Sequence, residues 1–269
     1  MADGSVKHSE PRSGTVGKAL SVLDEVAAFG RPVRFGELLD QSPYPKATLY
    51  RLLQTLTSEG MLAYDAERQT YSAGIRLVRL AHAAWAQASL APIARPHLDI
   101  LSAATGETVH LAQLDSAQVL SVDKRNAKDP LPMYSSAGKV GPAYCTGVGK
   151  AMLAFLPPHQ QNAAIAQQSF HRFTEHTLAS AHDLVMELNE IKQRGHAFDR
   201  EEHEPGIICI AVPVKTAAQH VLGAISVTSS IRRTSISELE THLPHISETA
   251  AAIAAEAVDW RFPDDINRD

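Results

Sequence analysis

Apolar positions recur at helical spacing through the first third of the chain. Val16, Ala19, Leu20, Leu23, Val26 and Ala27 make one stripe, with Ser13 or Thr15 placed to cap the helix and Gly30 to stop it. Phe35, Leu38 and Leu39 give a second, shorter face, and Leu49, Leu52, Leu53 and Leu56 a third at i, i+3, i+4, i+7. Ser42, Pro43, Tyr44 and Pro45 must separate these two helices, because each proline lacks a backbone donor and restricts the residue before it. Pro45 suits the first position of the later helix, where its missing N–H costs nothing. Gly60 ends that helix; residues 61–64 read as a strand, 65–68 as a polar turn and 69–72 as the return strand. Three helices followed by a hairpin is the order of a winged helix-turn-helix.

Residues 75–90 read as one alanine-rich helix with Leu77, Leu80, Ala81, Ala84 and Trp85 on its apolar side; Pro92 interrupts it, and a further helix runs to Gly106. This is a natural connector, and Trp85 on it suits a subunit contact, since helix-turn-helix units read paired half-sites. Beyond Gly106 the period shortens. Strands are predicted at 108–114 and 119–123, then a glycine-punctuated loop before a helix at 150–156. Helices follow from Pro157 to near Ser169 and over 181–194, then strands at 196–200, 207–215 and 221–228. A last helix at 237–257 should break or bend near Pro244. Short antiparallel strands mixed with helices define an α+β domain.

The face opposite the third leucine stripe carries Ala47, Arg51, Gln54 and Ser58, flanked by Lys46, Thr48, Tyr50 and Thr55, with no acidic residue before Glu59. Such side chains reach phosphates and base edges in a DNA major groove, and Arg68 in the hairpin turn joins them as a DNA contact. An ordinary amphipathic helix would show the same periodicity; the order of elements favours DNA.

With 269 residues, 44% apolar and 20% charged, the composition is that of a soluble globular protein large enough for two modest domains. Residues 1–13 read as a disordered tail, 14–74 as the winged domain, 75–91 as a linker helix, 92–258 as a second domain and 259–269 as a flexible tail. No stretch has the apolar length of a membrane span, and two cysteines, Cys145 and Cys209, point to a reducing cytoplasm. Net charge is −5, made of +1 through residue 80 (10 basic, 9 acidic) and −6 beyond it (15 basic, 21 acidic). DNA contact therefore depends on a local cationic face and not on bulk attraction.

Two stretches invite chemistry. Residues 144–151 look like a phosphate loop, but Tyr144 stands where that motif needs glycine and Ala151 where it needs a hydroxyl. The glycine-lined helix start still suits a carboxylate. In 198–209, His203-Glu204 resembles the opening of a zinc-protease motif, yet Pro205 breaks the helix and no second histidine follows at the required spacing. A metal site from Asp199, His203 and Cys209 has suitable atoms without a recognised spacing, and no cofactor is expected. Two competing readings remain: a cytoplasmic enzyme using Asp199, His203 and Cys209, and a redox-sensing winged-helix regulator using Cys145 and Cys209.

Three blocks carry a family resemblance. They are residues 45–53 with Leu56; residues 138–142 leading to Thr146 and Gly149-Lys150-Ala151; and Phe198-Asp199, Glu201-Glu202, Gly206-Ile207 and 209–214 followed by 223–227. Together they resemble the IclR family of bacterial transcriptional regulators over about residues 14–257, with departures at Ala47, Tyr50 and Tyr144. The resemblance implies a GAF-like (profilin-like) sensor domain and a homodimer or homotetramer on palindromic operator DNA. It also implies an effector pocket of Met133, Tyr144, Gly147, Val148, Asp199, Ile207, Cys209, Ser226 and Thr228. Backbone donors at Gly147 and Val148 suit an anionic oxygen, Ser226 and Thr228 a hydroxyl or second oxygen, Met133 and Ile207 an apolar wall. Asp199 repels a carboxylate beside it but accepts from a hydroxyl. The expected effector is a small organic acid bearing a hydroxy or keto group, or a phenolic acid.

Overall fold

The structure, a computed structural model, describes residues 14–129, 133 and 136–257, and of residues 85–88 the backbone alone. The two expected tails, the Ser13 cap and the Trp85 contact lie outside what is described. The chain divides between Gln87 and Ala88 into two units.

The first unit holds α1 (Thr15–Ala28), β1 (Val33–Arg34), α2 (Phe35–Gln41), α3 (Lys46–Ser58), β2 (Leu62–Asp65), β3 (Thr70–Ala73) and α4 (Ile75–Ala88). All four leucines of α3 are buried, against Val22, Leu23 and Val26 of α1 and Leu62 of β2. At about 1.5–3 kcal/mol each, those leucines supply about 6–12 kcal/mol of gross burial, more than any cap on this short helix. Three details differ from expectation. Gly14, not a hydroxyl side chain, precedes α1, whose Val16 and Leu20 are exposed. Pro45 stands one residue ahead of α3 in an extended conformation. The hairpin gains a third strand, β1, which pairs with β3 through Val33↔Tyr71. Gly74 is required where the wing returns: a Cβ there would lie 2.2 Å from the Gly60 carbonyl oxygen. Ile75, Val78 and Leu80 of α4 are exposed.

The second unit runs α5 (Ala91–Thr105), β4 (Thr108–Asp115), β5 (Gln118–Arg125), β6 (Val140–Pro142), α6 (Gly147–Ala154), α7 (Pro158–Ala166), α8 (Ala181–Arg194), β7 (Ala197–Arg200), β8 (Ile207–Lys215), β9 (Val221–Ser230), α9 (Ile236–Glu240) and α10 (Leu243–Glu256). The strands form one antiparallel sheet in the order β6-β5-β4-β9-β8-β7. Pro92 and Pro244 both sit in the first turns of helices, where proline is tolerated, so they start α5 and α10 and do not kink them. The last predicted helix is two. Helix α6 begins three residues before the predicted Lys150, because Gly147 and Gly149 are inside it.

Register decides what each face of the sheet can do. On β8, Ile208, Ile210, Val212 and Val214 point to the side covered by α10, while Ile207, Cys209, Ala211 and Pro213 point to the side of α6 and α8. The first set is branched and apolar and makes an ordinary core. The second is smaller, and Ala112, Ala197, Ala211 and Ala224 let α6 approach closely near the middle of the sheet.

Candidate functional site

Pairing brings His110 opposite Ser226, Ser226 opposite Ala211, Thr228 opposite Cys209, and Cys209 opposite Asp199. These residues of β4, β9, β8 and β7 therefore share the α6 face, beside Ala112 and Ser121. Between them and the start of α6 lies a cavity of about 90 Å³. That is well above the roughly 10–15 Å³ that one water needs, so it has room for a small organic molecule.

The α6 end of the cavity is built by glycines. A Cβ on Gly147 would lie 2.4 Å from the Cys209 Sγ, and one on Gly149 would lie 2.4 Å from the Ala143 carbonyl oxygen. Only hydrogen at both positions lets the helix start rest on β8. Thr146 precedes α6 without capping it; its hydroxyl donates instead to the Pro142 carbonyl at 2.8 Å. Gly147 and Val148, in the first turn of α6, line the cavity, and no side chain caps that turn; an uncapped helix start is a favourable place for an anionic oxygen.

The opposite wall is a hydroxyl–imidazole chain. The His110 ring Nδ1 is 3.2 Å from the Thr228 hydroxyl, which is 3.3 Å from the Ser226 hydroxyl. Burial, with help from nearby Lys124, pushes the His110 imidazole down to about 3, so the ring is neutral at pH 7. Asp199 is buried and accepts from the Glu202 backbone N–H at 2.8 Å. Burial, then the Glu202 carboxylate, push its carboxyl up to about 7 against the pull of Lys150. Lys150 is wholly enclosed behind the cavity, its ammonium 2.5 Å from Glu202 and 3.4 Å from Glu187.

Met133, Gly147, Val148, Asp199, Ile207, Cys209, Ser226 and Thr228 all line this cavity. Tyr144 does not, and the expectation that it supplies an aromatic wall is corrected. It is buried in the core, its ring tilted at 52° against Phe170 with centroids 5.2 Å apart and its hydroxyl donating to the His171 carbonyl. Those partners, brought in by the segment after α7, hold the ring on the core side. Sequence reasoning missed His110, Ser121 and Lys139, and it read His203 and Glu204 as metal or enzyme candidates when they line this same cavity. An isolated histidine in an apolar strand, two positions from Ala112 on the same face, was the available signal.

Among the described residues no group of three or more His, Cys, Asp or Glu is arranged to hold a metal ion. Cys145 and Cys209 are both free and buried, and burial pushes both thiols up, so neither is a thiolate at neutral pH.

In the first unit, Lys46, Ala47, Tyr50, Arg51, Gln54 and Thr55 of α3 are exposed, Thr48 is half-exposed, and Arg68 stands exposed in the wing turn. Gln54 donates to the Tyr50 hydroxyl at 2.9 Å, and the Tyr50 ring meets Phe35 edge-on at 6.1 Å. Tyr50 is thereby held with its hydroxyl outward. Arg34, Tyr64 and Gln69 join Lys46, Ala47 and Tyr50 around one groove beside α3, and these three were not anticipated.

A winged helix-turn-helix with a polar recognition face, beside a separate α+β unit that holds a small cavity, is the architecture of a DNA-binding regulator. Residues 15–66 match the IclR helix-turn-helix domain, and residues 82–255 match the bacterial transcriptional regulator IclR C-terminal domain. The chain belongs to the IclR family, and it is a transcriptional regulator, not an enzyme. It is 33% identical over 216 residues to the HTH-type transcriptional regulator KdgR of Dickeya chrysanthemi, covering 80% of this chain and 71% of that one. The crystal structure of Thermotoga maritima IclR matches with a TM-score of 0.72 at 26% identity, over 90% of this chain and 98% of that one. An IclR homologue from Microbacterium hydrocarbonoxydans, solved in complex with 4-hydroxybenzoate, shares the fold with a TM-score of 0.78 at 18% identity, over 91% of this chain and all of the other (100%). Among the described residues no helix is long and apolar enough to cross a membrane.

Proposed function

We propose that this regulator binds a palindromic operator as a homodimer or homotetramer in the cytoplasm. A small organic acid bearing a hydroxy, keto or phenolic group, bound in the second unit, controls it. The observation that carries the effector reading is the uncapped start of α6, whose Gly147 and Val148 line a small cavity together with the Ser226 and Thr228 hydroxyl residues. Ser226 and Thr228 suit a second oxygen, Lys139 adds a cation to the wall, and Met133, Val119 and Ile207 suit a short carbon skeleton. The fold neighbour that holds 4-hydroxybenzoate supports the same ligand class. The operator reading rests on the exposed Lys46, Arg51, Gln54 and Thr55 with the half-exposed Thr48, and on Arg68, exposed in the wing turn and suited to a flanking groove.

The test uses one variant and two readouts. Arg51→Ala should abolish the shift of fragments from the promoter of its own gene in a gel assay, while calorimetry shows organic-acid binding unchanged. Loss of both readouts would point to misfolding and remove the proposed division of labour; retention of the gel shift would remove Arg51 from the recognition face.

A further inference from the structure

Behind the cavity, one buried cation serves two carboxylates, Glu202, which is buried, and Glu187, which is partly exposed. Lys150 contacts Glu202 at 2.5 Å and Glu187 at 3.4 Å, but Glu187 is already matched by Arg194 at 2.8 Å. Lys150 is therefore paired directly with Glu202; its charge reaches Asp199 only from behind that pair, and among the described residues no buried cation is in contact with Asp199. The ionisable groups around Asp199 are Glu202, His203 and Glu204 from the turn after β7, Lys150 from α6, Cys145 ahead of it, and Cys209 from β8. Across the cavity stand His110 and Lys139, with the half-exposed Lys124 opposite His110 on β5, while Arg200 turns to Glu187 at 4.0 Å. Burial keeps both thiols and the His110 ring neutral. His203 and Glu204 are half-exposed and Lys139 is exposed, so water screens them.

An organic anion entering this cavity would put a second uncompensated negative charge near Asp199, and charges buried without a partner are strongly disfavoured. A helix N-terminus carries only about half a positive charge and cannot balance both. We propose that the effector anion binds together with one proton from solvent, taken up by Asp199, whose neutral carboxyl then donates a hydrogen bond to the ligand. The proton returns to solvent when the effector leaves. This rests on the effector reading of the cavity, and it makes the sensor respond to the organic acid and to pH at once. The elevated proton affinity of Asp199 in the empty site agrees with it.

Calorimetry on the full chain with pyruvate, lactate and 4-hydroxybenzoate, in two buffers of different ionisation enthalpy, counts the protons. Uptake should approach one per cavity near about pH 8.5 and vanish near about pH 5.5, with affinity falling roughly tenfold per pH unit above neutrality. Asp199→Asn should bind with no uptake and a flat pH profile; His203→Gln should keep the uptake, which separates Asp199 from the imidazole nearest to it in the chain on the same wall. Binding by the wild-type chain without uptake overturns the proton linkage alone. Uptake that persists in Asp199→Asn, or disappears in His203→Gln, assigns the proton elsewhere and overturns it as well. If none of the three acids binds at any pH, the effector reading itself fails and takes the linkage with it. Should Asp199→Asn not fold, the wild-type count and the His203→Gln result still decide.

Discussion

Acid works against the buried ring of His110. Its folded proton affinity lies near 3, below the solution value of 6.5, because burial disfavours the charged form. The stability this contributes is fully present above about pH 6.5 and is lost as the pH falls toward 3. By about pH 5 the loss is about 2 kcal/mol, from 1.36 kcal/mol per unit. His110→Asn removes the titration, so the gap in unfolding free energy between wild type and variant should close by about 2 kcal/mol between about pH 7.5 and about pH 5, read by chemical denaturation. Asp199 has the opposite sign, since its raised folded value favours the fold at lower pH, but it is common to both proteins and cancels in the difference. A gap that stays constant would show that the ring is hydrated. Neither shift was legible in the sequence, because both come from burial by strands far apart in the chain.

At the scale of an element, α6 is the informative one. Its eight residues are all buried, Lys150 included, and two of them are glycines that no side chain can replace without moving something. Gly147→Ala should push the helix start off the Cys209 sulfur, cost about 1–3 kcal/mol of stability and weaken effector binding. Adding Cys209→Ala should recover part of both, measured by thermal unfolding and calorimetry. Gly149→Ala meets backbone at Ala143 and has no such rescue. Failure of Cys209→Ala to help would mean that the strand and helix already have slack. Long periodic elements were read well from the sequence: α3, α8 and β8 have four leucines, a serine cap with a glycine stop, and nine consecutive strand residues. Strands β1 and β6, of two and three residues, were not. So short a run cannot display an alternation, and each exists only because a neighbouring strand offers free backbone groups.

For the whole molecule, the proposed function requires operator and effector to be linked by a coupling free energy. A typical coupling is about 1–3 kcal/mol, a change of roughly 5- to 150-fold in operator affinity. Thermodynamic reciprocity then fixes a second number: saturating operator must change effector affinity by the same factor. Fluorescence anisotropy with labelled operator, titrated with and without the organic acid, and calorimetry of the acid with and without operator, measure the two independently. Unequal factors would mean that one ligand acts on an assembly step outside this cycle. Salt should weaken operator binding steeply while leaving the effector nearly unaffected, since the net charge of −5 leaves only local cations for phosphate contacts.

The sequence by itself determined the two-part architecture, the leucine face that buries α3 and the polar row opposite it, because helical periodicity is local and three or four turns are enough to display it. It also marked the glycines at α6 and the strands after Gly195. What only the tertiary structure decided was the company each residue keeps: that His110 faces Ser226, that Lys150 pairs with Glu202 and not with Asp199, and that Tyr144 turns into the core. Those facts depend on strand register and on the closeness of packing, and both are set between segments dozens of residues apart, where no local pattern records them.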